Sequence, residues 1–222
     1  MKRRTLPTAA AFAAATALLL TACGGGDDGS ADNDKIAGTG RGTVTPIPSA
    51  TSGTSSETKP DGVDVTLPGD MNLVFDWEKP SKKNEAAAME DAANFMRAIY
   101  RGVDKGTAED AAVLAYSTGG GRHYAETQIE SRVDGGWTAT GTRRHYQATT
   151  RSAPTGTAVE VAFCVDSSKF FGEEIKTGKV LKTKPSLEDF DYFKIIMVKH
   201  PTGKDLWQAS EVYVEGKAAK CQ

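Results

Sequence analysis

The sequence predicts an α+β fold in which N-terminal helices pack on one face of a curved, mostly antiparallel four-stranded sheet. Three observations predict it. Between residues 83 and 133 apolar side chains recur at three- and four-residue spacing, and from residue 137 onward β-branched and aromatic residues alternate between turn clusters. The first pattern wholly precedes the second, which is the order of an α+β chain rather than of repeated βαβ units. The third observation is composition. An apolar leader and a polar spacer take the first part of the 222 residues, leaving about 140 for a single core.

Lys2, Arg3 and Arg4 form a positive n-region and residues 6–20 an apolar h-region of Ala, Leu and Phe12, the layout of a secretory signal over residues 1–22. The apolar run is shorter than the roughly 20 residues that span a bilayer, and Pro7, Thr8 and Thr16 interrupt it. It ends in Leu20-Thr21-Ala22-Cys23, which resembles the bacterial lipobox, a leucine three places before a cysteine with small residues between. That resemblance implies cleavage before Cys23, a diacylglycerol on its thiol and acylation of the new amino terminus by palmitate-type chains. Each buried methylene contributes about 0.8 kcal/mol, so two or three chains hold a protein on a membrane where one does not. The expected location is the extracellular face of the cytoplasmic membrane. Arg3-Arg4 leaves twin-arginine export open beside general secretion.

Removal of the leader takes away three positive charges and leaves 24 basic against 29 acidic side chains. Residues 23–82 hold 5 basic and 10 acidic groups, whereas residues 83–222 hold 19 of each, so the imbalance lies in the spacer. A charge-balanced domain excludes a nucleic-acid binder held by bulk charge. From residue 24 to 62, 29 of 39 residues are Gly, Ser, Thr, Asp, Asn or Pro, too polar to offset the entropy of ordering. Residues 23–70 therefore read as a disordered tether, with a mean reach of about 35 Å for some forty residues. In residues 71–82 the segment Met71-Asn72-Leu73-Val74-Phe75-Asp76-Trp77 is apolar at five of seven positions, which predicts an extended arm docked on the domain or a partner-binding motif.

The domain proper is expected over residues 83–222. Met89, Ala92, Ala93, Met96, Ile99, Tyr100 and Val103 predict a first helix, stopped between Gly102 and Gly106. Thr107 with Asp110 resembles a capping box for a second helix carrying Ala111, Val113, Leu114 and Tyr116, with Gly119-Gly120-Gly121 as its stop. A third is predicted over 122–133 on Ala125, Ile129 and Val133. Strands are predicted at 137–152, 157–166, 191–200 and 206–215. In the second of these Val159, Val161, Phe163 and Val165 form the core-facing series. Pro201-Thr202-Gly203-Lys204 closes a hairpin, and residues 167–188 read as a long irregular connection.

Over residues 83–221 this element order resembles the nuclear transport factor 2-like, cone-shaped α+β domains. A second resemblance rests on Asp134-Gly135-Gly136-Trp137-Thr138-Ala139-Thr140-Gly141-Thr142-Arg143-Arg144-His145-Tyr146, on Phe163-Cys164-Val165-Asp166-Ser167-Ser168, on Lys176-Thr177-Gly178-Lys179-Val180 and on Ala219-Lys220-Cys221-Gln222. Through these the chain resembles uncharacterised small lipoproteins of actinobacteria, of streptomycete type, many with Tyr where His145 stands here. That likeness implies a location and a shape, not an activity.

With Cys23 acylated, Cys164 and Cys221 are left in an exported chain and are expected to pair as a structural disulfide. No nucleophile elbow, zincin motif or phosphate loop occurs. His123, His145 and His200 have no metal-ligand spacing, so neither a metal nor a cofactor is expected. The cone resemblance implies a pocket between sheet and helices, with Tyr100, Tyr116, Trp137, His145, Tyr146 and Asp166 as its candidate lining. If it were catalytic, His145 or Asp166 would be the base and a tyrosine the donor to an oxyanion. The leading expectation is a non-enzymatic module that binds a protein or a small apolar ligand at the cell surface. A proton-transfer enzyme and a structural envelope component remain the alternatives.

Overall fold

The computed structural model describes residues 62–202 and 205–222. The expected leader, Cys23 and the expected tether up to residue 61 lie outside the described residues. The elements are β1 (Met71–Asp76), α1 (Lys83–Lys105), α2 (Ala111–Tyr116), α3 (Gly119–Asp134), β2 (Trp137–Ser152), β3 (Ala158–Glu174), β4 (Val180–Leu181), β5 (Phe190–Lys199) and β6 (Trp207–Gly216). The fold is α+β, with the helices preceding most of the sheet. The strand order is β1-β2-β3-β5-β6, with β4 added to the far half of β3.

The sheet has six strands where four were expected. The four are present as the antiparallel series β2, β3, β5 and β6. The fifth is the expected arm: it pairs parallel to β2, from Met71 opposite Gly141 to Asp76 opposite Tyr146. A parallel pair needs a crossover over the sheet face, and the three helices supply it. The sixth strand lies in the segment read as irregular. Its polarity hid a strand because β3 runs on to Glu174 past the core, with half-exposed and exposed side chains that show no apolar alternation.

The first helix ends as its glycines predict: Gly106 takes a left-handed φ of 68°, and its N–H bonds back to the Val103 carbonyl. The next two boundaries differ from expectation. Asp110, not Thr107, caps α2, its carboxylate accepting the Ala112 N–H at 2.9 Å. Gly119-Gly120-Gly121 begins α3 rather than ending α2. The reason is packing: a Cβ on Gly121 would overlap the carbonyl of Ala209 in β6, so only glycine lets this helix lie on that strand.

The core lies between the helices and one face of the sheet. Val159, Val161, Phe163 and Val165 of β3 meet Phe193, Ile195 and Met197 of β5 and the Ala88, Ala92, Phe95, Met96 and Ile99 side of α1. Phe163 and Phe193 stack with centroids 5.5 Å apart. Each large apolar side chain so buried contributes about 1.5–3 kcal/mol. Asp91 of α1 is buried in this layer, where it accepts the Trp207 N–H at 2.9 Å and so ties the helix to the start of β6. On the opposite face, Cys164 is covered by the C-terminal residues Ala218 and Cys221, and Cys164 and Cys221 form a disulfide with Cα atoms 5.4 Å apart.

Candidate functional site

The structure divides the six expected pocket residues between the two faces of the sheet. Tyr100 and Tyr116 are buried in the helical layer, and His145 is buried on the sheet face beneath it. Trp137, half-buried, shares that face by strand alternation. Tyr146 and Asp166 point the other way, with Cys164. The Tyr146 hydroxyl donates to the Cys221 carbonyl, and the Asp166 carboxylate accepts the Ser168 N–H at 2.8 Å. The two proposed bases, His145 and Asp166, are thus separated by the thickness of the sheet and share no opening.

His145 sits in an aromatic sandwich rather than at a surface. Its ring stacks on Phe75 at 4.4 Å and meets Phe163 edge-on at 5.7 Å. Nδ1 lies 3.1 Å from the Val74 carbonyl, so Nδ1 carries the proton and donates. Nε2 has no hydrogen-bond partner among the described residues. Burial pushes the imidazole pKa down to about 3, and the nearby Arg143 charge acts in the same sense. A neutral ring with its bare nitrogen sealed in the core does not exchange protons with a substrate.

The face that His145 shares carries a polar cluster that sequence reasoning did not single out. Arg143, two residues before His145 on β2, is only 8% exposed. Its Nη1 donates to the Tyr100 hydroxyl, and its Nη2 lies 3.5 Å from Asp191 of β5. Its Nε has no acceptor among the described residues. The guanidinium carbon is 5.8 Å from the ring centroids of both Tyr100 and Phe193. Arg132 of α3, held by the Gln128 carbonyl at 2.8 Å, reaches the same Tyr100 ring at 5.7 Å.

Strand alternation puts Arg143 on the same face as Ala139 and His145. The β2–β3 register shifts between Thr142 and Arg144, where three steps of β3, from Lys169 to Asp166, face two of β2, a bulge whose extra residue lies in β3 opposite Arg143. Just before it, Gly141 has a φ of 99°, where a Cβ would overlap the Lys169 carbonyl. Alternation offered a clue: Arg143 and His145 are two apart on a predicted strand, so whatever buries one buries the other. An arginine in a strand otherwise reads as solvent-facing, and the compensating Asp191 is 48 residues further along.

Electrostatics assign the members different roles. Arg143 supplies the positive charge that faces Asp191. Burial raises the Asp191 carboxyl above the ordinary aspartate range, opposed by Arg143. Burial also pushes the Tyr124 hydroxyl of α3 up to about 12, with Arg143 and Tyr100 among the neighbours it senses. Tyr124 therefore stays protonated and can donate but not act as a base. The cluster lies where the helical cover ends. Phe193 is 2% exposed, whereas Val214, directly opposite it on β6 and on the same face, is 43% exposed. A separate hollow of about 240 Å³ beside the α1–α2 turn sets Glu109, Glu130 and Asp134 around Ile129 and Val133 and holds no buried donor. Among the described residues, no group of three or more His, Cys, Asp or Glu is gathered as a metal site requires.

Comparison with protein-family models, with curated proteins and with solved structures finds no match to this chain.

Proposed function

We propose that this chain is a lipid-anchored lipoprotein of the extracellular envelope, whose α+β domain is a non-enzymatic binding module of cone-like, nuclear transport factor 2-like shape. The observation that carries the binding reading is the buried Arg143 with a hydrogen-bond donor left unused at the edge of the helical layer. An unmet buried donor of this kind costs roughly 1–3 kcal/mol, which an acceptor brought by a ligand would offset. The cone reading is supported by the helices lying on one face of a bulged antiparallel sheet. It departs from the expected pattern in the parallel edge strand β1.

The proton-transfer alternative needs a base near the cluster. With His145 sealed and Asp166 on the other face, Asp191 is the remaining carboxylate there, and it is engaged with Arg143. The anchor reading rests on the lipobox resemblance at Cys23 and on the tether that follows.

Two measurements test the proposal. Intact mass of the membrane-extracted protein should show a diacylglyceryl-modified N-terminal cysteine, and Cys23→Ala should release the protein from the membrane fraction. Detergent-phase partitioning that survives Cys23→Ala refutes the anchor. Native mass spectrometry of the gently extracted protein should show a co-purifying small molecule. A bare mass, together with no thermal stabilisation by any member of a panel of small amphiphiles, refutes the module.

A further inference from the structure

We infer that the Arg143 cluster is a subsite for a small apolar monoanion, a carboxylate on a hydrocarbon or aryl body, entered from the edge of the sheet beside Asp191 and Val214. The inference rests on the binding-module reading above and specifies its ligand class.

The argument begins with the donors of the guanidinium. Nη1 is used by the Tyr100 hydroxyl. The side-on pair, Nε with Nη2, is the edge that takes a carboxylate in bidentate fashion. Here Nε has no acceptor, and Nη2 has only a loose ion pair with Asp191 at 3.5 Å, beyond the usual range for a charge-assisted bond. A folded chain that spends an arginine in its core normally meets each donor, because an isolated buried charge costs several kcal/mol. Asp191 approaches but does not close that edge. It is half-buried, with about a quarter of its side chain exposed.

Charge points the same way. Two guanidiniums, Arg143 and Arg132, flank the Tyr100 ring, while Asp191 is the carboxylate paired with Arg143. One further negative charge balances the immediate cluster. The surroundings set the rest of the ligand: the half-buried Phe170, edge-on to Tyr100 at 5.1 Å, and the exposed Val214 offer aromatic and apolar surface. A group with an acid head and a lipophilic body meets both demands. A phosphate or a sugar meets only one.

The test is calorimetric titration of the full chain carrying Cys23→Ala, which keeps it free of lipid and detergent. The probes are 2-naphthoate and octanoate, each beside its neutral primary amide. Both acids should bind at least tenfold tighter than their amides. Arg143→Met should weaken the acids by roughly tenfold to a hundredfold, the value of one charge-assisted pair, and leave the amides unchanged. Asp191→Asn should tighten the acids several-fold by removing the competing carboxylate. That variant keeps the prediction open to refutation if Arg143→Met does not fold. Acids and amides binding equally, or acids weakened by Asp191→Asn, overturns the anion subsite while leaving the module intact. Failure of both acids to bind also overturns it, and the co-purification measurement then decides the module separately.

Discussion

Replacing His145 by Phe should flatten the acid limb of the stability curve. In the folded chain the imidazole holds a pKa of about 3 because protonation would place a charge between Phe75 and Phe163 with no acceptor for Nε2. In the unfolded chain it titrates near the ordinary value of 6.5. Between these two values the unfolded state binds the extra proton, so stability rises with pH by up to about 1.4 kcal/mol per unit. The contribution is complete above pH 6.5, falls as pH drops through the unfolded pKa, and levels off near the folded one. From pH 7 to pH 4.5 the loss from this group alone is on the order of 2–3 kcal/mol. Carboxylates titrate in the same range, so the informative quantity is the difference between wild type and variant. Urea unfolding at pH 7, 6, 5 and 4.5 should show the His145→Phe chain losing about that much less. Phe fits between two aromatic neighbours but leaves the Val74 carbonyl without its donor, so at pH 7 the variant should lie within about 1–2 kcal/mol of wild type. Parallel stability curves for the two proteins would refute the claim that His145 is buried neutral.

Other outcomes follow from packing and covalent structure. Cys164→Ala with Cys221→Ala opens a bridge of sequence separation 57, and the chain-entropy estimate puts the loss at about 4 kcal/mol, read as a lower urea midpoint; equal midpoints for oxidised and variant protein would refute a structural role. Gly121→Ala should destabilise by about 1–3 kcal/mol or more, because the new methyl meets backbone rather than a movable side chain, whereas at Gly102 it meets the flexible end of Ile129 and should cost less in the same melt. Asp91→Ala removes the acceptor of the Trp207 N–H and should cost about 1–3 kcal/mol, with Asp91→Asn recovering part of it, since an amide oxygen can still accept.

The chain announces its periodic elements and conceals its exceptions. The strand Trp137–Ser152 and the first helix are legible because buried and exposed positions alternate at the periods of their elements. The glycine run at 119–121 misleads because glycine serves two opposed purposes, ending a helix and letting one approach a neighbouring backbone, and the partner that decides, Ala209, is remote in sequence. The far half of β3 is hidden because its strand character comes from hydrogen bonding to β2 and β4, not from an apolar face. The aromatic and acidic residues expected to line a site were chosen by type. Type does not say which side of a sheet a residue takes: alternation along β2 and β3 sends His145 to one face and Tyr146 and Asp166 to the other. Arg143 is illegible for the converse reason: an arginine on a strand reads as solvent-facing, and only the fold encloses its charge.

The parallel edge strand has a mechanical consequence. β1 is where the chain first enters the sheet from its N-terminal side, and its six residues are paired in continuous register with 141–146 of β2. A pull along β1 on the residues before Met71 therefore meets six pairs together, in shear, not one at a time.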